Sequence, residues 1–245
     1  MRLNDRWHQI LGVHDGVRLS GAAACNAYGL ETSAGLVMFD AGAGIRPAAQ
    51  LSALDGAGFP GGPQHLFLTH AHADHSGGAA DLVSRYGMPV HAGKLTARWV
   101  GDGAEDKFSL PVARRAGVYP PDYAFRAVRV DRVLDSASTI RIGDAEITAI
   151  ATPGHSADHM SYLVRVDGQA SLIAGDAIFA GGTIVLQDTW DSSVADSCAS
   201  IRRLAGFEFE RLLSGHGPLV LERAREHVEI AMERISRLLP PRNLT

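Results

Sequence analysis

The chain has 245 residues, 46% of them hydrophobic, enough apolar material for a sizeable core in one large domain or two small ones. Its 23 basic and 27 acidic side chains leave a net charge of −4, so no strongly basic nucleic-acid surface is indicated. Two cysteines, Cys25 and Cys198, imply buried free thiols rather than a disulfide framework; no stretch nears roughly 18 consecutive apolar residues, and Met1-Arg2-Leu3-Asn4-Asp5-Arg6 leads into no apolar signal region, so the expectation is a cytoplasmic protein with no membrane partner.

Residues 7–13 and 17–19 read as a hairpin across the turn signal Asp15-Gly16. Residues 25–31 and 35–39 read as two further strands, the second closed by Asp40-Ala41-Gly42. Pro47 suits the first turn of a helix reaching about Leu54. The apolar run Leu66-Phe67-Leu68-Thr69 reads as a buried strand, and it ends at His70-Ala71-His72-Ala73-Asp74-His75. The carboxyl end of a strand is where α/β proteins place their chemistry. Side chains two apart in extended backbone point the same way, so His70 and His72 can grip one cation, while Asp74 and His75 come as the chain turns into a helix and point elsewhere. That geometry suits two neighbouring metals better than one, and mixed imidazole and carboxylate ligation is what zinc-type sites use. The helix spans 77–86, with Ser76 as its N-cap and Gly87 as its stop. Residues 89–92 form a short strand in which His91 is a packed histidine rather than a ligand.

Residues 94–129 are the least regular stretch, with Trp99, Phe108, Tyr119, Tyr123 and Phe125 set among Pro111, Pro120 and Pro121. A long segment of this kind packs locally or walls a binding site, and no single substrate-binding residue can be named in it. Strands resume at 139–142 and 145–151 across Gly143-Asp144, then at 160–166 and 171–174 across Asp167-Gly168. Three more ligand-type residues stand beside glycine at strand ends: His155 after Thr152-Pro153-Gly154, Asp176 after Gly175, and His216 between Gly215 and Gly217. Glycine there permits sharp turns and close backbone approach. His159 is open to three readings: a brace for a ligand, part of the site lining, or a loop histidine. Residues 182–186 read as a short strand and 193–205 as a helix with Val194, Cys198, Ile201 and Leu204 on one face. A last strand at 211–213 precedes an amphipathic helix over 219–239 whose charges form a solvated face.

His-x-His-x-Asp-His followed by His155, Asp176 and His216 resembles the metallo-β-lactamase-fold hydrolase superfamily, over most of the chain and with all seven ligand positions in the family's order. The resemblance implies an α+β fold, a four-layer αββα sandwich of two pseudo-equivalent halves forming a single domain over 1–245. The alternation of strands and helices in the two halves agrees with that layering. The resemblance also implies that His70, His72 and His155 hold one metal, that Asp74, His75 and His216 hold a second, and that Asp176 bridges them. Asp40 would then lie beneath the metals as a partner to a ligating histidine; the local alternative is a turn carboxylate making an Asx-type bond.

Two divalent cations, zinc first with iron or manganese also compatible, would sit roughly 3.5–4 Å apart and share a hydroxide as nucleophile. Asp74, with one oxygen on a metal and one to orient that hydroxide, is the candidate catalytic side chain. The family hosts several chemistries. Its antibiotic-degrading lactamases lack a bridging carboxylate at the position of Asp176, its glyoxalase II enzymes add a helical domain after the last histidine, and its acyl-homoserine-lactone lactonases carry a tyrosine where Phe179 stands. The expectation is an enzyme, a dinuclear hydrolase of small carboxylic esters, thioesters or lactones. The alternatives are a dinuclear phosphodiesterase or a mononuclear iron oxygenase of the persulfide dioxygenase kind. The partner expected is a small-molecule substrate, with no nucleic acid.

Overall fold

A computed structural model describes residues 1–14, 17–18 and 25–244. The chain divides into two compact units, Met1–Leu134 and Asp135–Thr245, and each is built on its own mixed sheet. In the first unit the strands are β1 (Trp7–Leu11), β2 (Val13–His14), β3 (Val17–Arg18), β4 (Ala27–Thr32), β5 (Gly35–Phe39), β6 (His65–Phe67), β7 (Val90–Gly93) and β8 (Arg132–Leu134). Six of them form one sheet in the order β1-β4-β5-β6-β7-β8. The first two pairings are antiparallel and the last three parallel. Parallel neighbours need crossover connections. They are supplied by α1 (Pro47–Gly56), by α2 (Ala73–Ser76) with α3 (Ala79–Tyr86), and by α4 (Lys94–Asp102) with α5 (Leu110–Arg115). The core of this sheet is a row of rings: Trp7 lies 5.8 Å from Phe39, Phe39 stacks at 5.4 Å on Phe67, and Phe67 stacks at 4.4 Å on His91.

The second unit carries β9 (Thr139–Ile142), β10 (Ala145–Ala151), β11 (Met160–Val166), β12 (Gln169–Gly175) and β13 (Arg211–Ser214), in the order β13-β12-β11-β10-β9. Only β12 and β13 run parallel, joined through α6 (Val194–Leu204). Ile150, Leu163, Leu172 and Leu212 pack with Ile201 and Leu204 of α6 and with Val228, Ala231 and Ile235 of α7 (Arg225–Ser236) into one apolar core. The alternate residues Ile147, Tyr162, Val164, Ile173 and Leu213 are buried as well, so both faces of the sheet are covered.

Several sequence expectations are corrected. Residues 7–13 are not one arm of a hairpin: β1 pairs with β4, and only the two-residue β2 and β3 pair with each other, while Asp15-Gly16 and Leu19 lie outside the described residues. Ser76 is not a cap, because α2 is already helical from Ala73 and its hydroxyl donates back to Ala71 O and His72 O; the residue preceding α3 is Gly78. The 94–129 segment contains α4 and α5, and β8 follows it unforeseen. Residues 180–182 form a 3-10 turn, with only isolated bridges at Thr183 and Ile184 where a strand was expected. The buried face of α6 is Ser197, Ser200, Ile201 and Leu204, with Val194 exposed and Cys198 half-buried, because Ser197 and Ser200 dock on the 153–154 backbone. The last helix begins at Arg225 rather than 219, since Val220 instead pairs with Leu212 and Arg223 has a positive φ of 55°. Among the described residues no helix is long and apolar enough to cross a membrane.

Candidate metal centre

In the first unit the register of β5 against β6, Phe39 opposite Phe67, brings two strand ends level. Asp40 therefore leaves β5 beside Thr69 and His70, and its N–H donates to Phe67 O at 2.8 Å. Asp40 sits at φ 59°, a left-handed conformation that aspartate tolerates better than most residues and that often accompanies functional sites. Its carboxylate is taken up far from its own turn. Oδ1 accepts from Thr69 N at 2.8 Å, and Oδ2 accepts from Thr69 Oγ1 at 2.9 Å and from His75 Nδ1 at 2.8 Å.

These contacts fix which ring nitrogens carry protons. A carboxylate can only accept, so His75 donates from Nδ1 and keeps its lone pair on Nε2. The Thr69 hydroxyl spends its proton on Asp40, so at 3.0 Å it accepts from His70 Nδ1, and His70 likewise keeps its lone pair on Nε2. The two rings lie 4.2 Å apart, and the His72 ring lies 4.6 Å from His70. Asp74 Oδ2 stands 3.6 Å from His75 Nε2, beyond an ordinary charge-assisted hydrogen bond. All three histidines are buried. The loop is packed too tightly for side chains at its exit: a Cβ on Gly78 would come within 2.2 Å of Ala41 O.

Residues 94–129 reach this cluster through Tyr119. The Tyr119 hydroxyl donates to Asp74 Oδ1 at 3.2 Å. Its ring stacks at 5.0 Å on Tyr123, whose hydroxyl donates to Ala43 O at 2.7 Å, while Arg114 grips Tyr123 O at 2.6 Å and Glu105 at 2.9 Å. Burial, and then the Asp74 charge, push the Tyr119 phenol far above its usual pKa, so it remains a donor at any working pH. Cys25 also lies close, its N–H on Asp74 O at 3.4 Å and its thiol grouped with Asp40 and His75. Burial raises that thiol's pKa and favours the neutral thiol.

The second unit gathers its three candidates from three loops. Ser214 pairs with Gly175, and Gly215 N–H donates to Gly175 O at 2.7 Å, so Asp176 and His216 leave adjacent parallel strands together. His155 follows β10, whose end lies level with theirs. Gly154, at φ 142°, lets this loop meet Ser197 of α6 with no room for a Cβ. Asp176 Oδ2 is 3.4 Å from both His155 Nε2 and His216 Nε2. His155 Nδ1 faces Val185 O at 3.4 Å, which as a carbonyl can only accept, so here too the lone pair is on Nε2. A carboxylate oxygen facing an imidazole lone pair is repulsive unless a cation lies between them.

His159 braces this arrangement. Its Nε2 accepts from the backbone N–H of Asp176 at 2.9 Å, so Nδ1 carries the proton and donates to Thr152 Oγ1 at 2.8 Å. Thr152 continues to Ser161 Oγ at 2.9 Å, and Ser161 to Ala174 O at 3.2 Å. The brace is one of the three readings the sequence left open. Tyr119 and Thr69 were not legible as site residues, for nothing in their sequence surroundings marks a contact made across strand ends or over 45 residues. The donor chemistry of both clusters fits divalent cations: neutral imidazoles with their tautomers set by partners, and carboxylates beside them.

Residues 20–216 match the family model described as the metallo-beta-lactamase superfamily. A hydroxyacylglutathione hydrolase of Acidiphilium cryptum is 32% identical over 69% of this chain and 56% of its own length. The thioesterase pkgB of Emericella nidulans is 28% identical over 71% of this chain and 40% of its own. The chain thus spans about half the length of these curated relatives. BJP-1, a subclass B3 metallo-beta-lactamase of Bradyrhizobium japonicum, superposes with a TM-score of 0.68 at 23% identity, over 87% of this chain and 86% of its own, a likeness of fold. The matched region runs from before β4 through His216 and takes in the ends of β5, β6, β10, β12 and β13, and the chain belongs to the metallo-beta-lactamase superfamily.

Proposed function

We propose that the chain is a metal-dependent hydrolase of small carboxylic esters, thioesters or lactones, working with two divalent ions. His70, His72 and His155 would hold one ion, Asp74, His75 and His216 the other, with Asp176 shared. The observation that carries the reading is the prearranged protonation of the histidines. Asp40 and Thr69 hold protons on Nδ1 of His75 and His70, and Val185 O does so for His155, so each ring offers its Nε2 lone pair outward. When bound, such ions lower the pKa of water and draw charge from a carbonyl oxygen.

The protein's own residues do the rest. Asp74 orients the attacking water with one carboxylate oxygen and receives its proton, as a positioned general base. Burial of the imidazoles excludes bulk water from the ligands and strengthens each charge interaction. Asp176, with an oxygen 3.4 Å from two imidazoles, would be the carboxylate shared between the ions. This carboxylate favours the ester and thioester branch over β-lactam cleavage, and the names borne by the two curated relatives agree with that choice. Zinc suits the imidazole and carboxylate set, and iron or manganese is compatible with it.

The test is a panel of chromogenic esters, thioesters, lactones, a cephalosporin and a phosphodiester, run on metal-loaded protein. Hydrolysis of the carbonyl substrates is expected, abolished by chelation and restored by added divalent metal. Turnover of the phosphodiester alone would replace this reading with a phosphodiesterase, and oxygen consumption with a persulfide alone would remove hydrolysis from consideration.

A further inference from the structure

We infer that Tyr119, carried by the 94–129 segment, is a positioning residue for Asp74. The inference rests on the proposed metal-dependent reading and deepens it. Asp74 has two oxygens in different surroundings. Oδ2 lies toward His75 Nε2 at 3.6 Å, and Oδ1 takes the Tyr119 hydroxyl at 3.2 Å. A carboxylate on a short side chain can otherwise rotate and exchange these oxygens. The buried Tyr119 donor on Oδ1 holds the plane of the group, so that Oδ2 is the oxygen kept on the His75 side for a metal.

The phenol is itself held. Tyr119 is almost wholly buried, it stacks on Tyr123, and Tyr123 is tied to Ala43 O by its hydroxyl and to Arg114 by its carbonyl. Arg114 in turn pairs with Glu105, whose other oxygen accepts from Phe125 N at 3.0 Å. Every link in that series lies within the 94–129 segment except its two ends, Ala43 after β5 and Asp74 in the candidate ligand loop. A proline-punctuated stretch with two short helices is thereby rigid at the one place where it meets the candidate catalytic carboxylate.

Tyr119→Phe keeps the ring stack and removes only the donor. Titrated with cobalt(II) or zinc, the full-length variant should bind one of its two ions roughly tenfold more weakly than wild type, the lower end of what loss of a partner to a ligand costs. The visible spectrum of the cobalt form should change for that ion alone, and kcat should fall with KM unchanged. Tyr123→Phe is the comparison: it loses the bond to Ala43 O but keeps the ring stack, the grip of Arg114 and the Tyr119 donor, so it should weaken the same ion far less than Tyr119→Phe does. Equal weakening in the two variants would make the effect one of segment packing and overturn the inference. So would unchanged affinity and spectrum in Tyr119→Phe when wild type binds two ions. Wild type that takes up no second ion would instead overturn the two-ion reading, and this inference with it.

Discussion

The two donor clusters solve the same chemical problem in different ways. In the first unit four candidate ligands come from six consecutive residues, and their supports are side chains: Asp40 beneath His75, Thr69 beneath His70, Tyr119 against Asp74. In the second unit three candidates come from three separate loops, and their supports engage the main chain: Val185 O behind His155, and the His159 ring accepting from Asp176's own N–H. A contiguous motif gains its geometry from one short turn and needs side chains to settle its tautomers. A dispersed set inherits its geometry from strand register, so some of its supports can be main-chain groups, as Val185 O is, that no single substitution removes.

That contrast predicts that substitutions of supporting residues act on ligation in the first unit and on folding in the second. The largest effect should come from the first unit's own carboxylate. Asp74→Asn keeps the shape and removes the charge, and turnover should fall at least about a hundredfold. Unchanged kcat at full metal occupancy would refute its role. Next is Asp40→Ala, which strips the acceptor from Thr69 N–H, Thr69 Oγ1–H and His75 Nδ1–H together. Metal affinity should fall about 10- to 100-fold, read by competition with a chromogenic chelator. A variant that binds like wild type would mean that the His75 tautomer is set by something else.

In the second unit His159→Phe leaves Asp176 N–H and the Thr152 hydroxyl without their buried partner. The expected loss is about 1–3 kcal/mol of stability in urea unfolding, larger than its effect on metal affinity at saturating metal. The reverse ranking, a stable protein with poor affinity, would erase the distinction drawn between the clusters.

The contrast also explains what the sequence made legible. His70 to His75 stands out because the ligands are adjacent, and period-two geometry alone places His70 with His72. Most strands were found from apolar runs, and the bounds of β5, β9, β10 and β11 agree with the expectation. His155, Asp176 and His216 are singletons beside glycines; their standing as a set came from family resemblance, and only the level ends of β10, β12 and β13 give it a structural cause. Tyr119 was visible as one aromatic among five, since a contact spanning 45 residues leaves no local pattern. Ser76 and the 219–239 helix failed for a shared reason: each was assigned from local propensity where a tertiary contact had a stronger claim, the carbonyls of Ala71 and His72 in one case and the pairing of Val220 with Leu212 in the other.

The smallest expected effect concerns a histidine that sequence reasoning set aside as packing, and it bears on the first unit alone. His91 is buried in β7 against Phe67, with its Nε2 3.0 Å from His65 Nδ1. Burial, then the neighbouring His65 and Arg132 charges, lower its pKa to about 4, and burial lowers that of His65 as well. A folded-state pKa below the unfolded value of about 6.5 means that the unfolded chain binds the proton first. The stability tied to a neutral His91 is therefore fully present above about pH 6.5 and is lost as the pH falls toward about 4. His91→Phe keeps a ring on Phe67 and cannot protonate. Its stability at pH 7 should lie within about 1 kcal/mol of wild type, since His65 is only half-buried and can turn its nitrogen to water. Between pH 7 and pH 4.5 wild type should lose more stability than the variant, measured by urea unfolding at each pH. Parallel pH profiles would show that His91 is not what titrates.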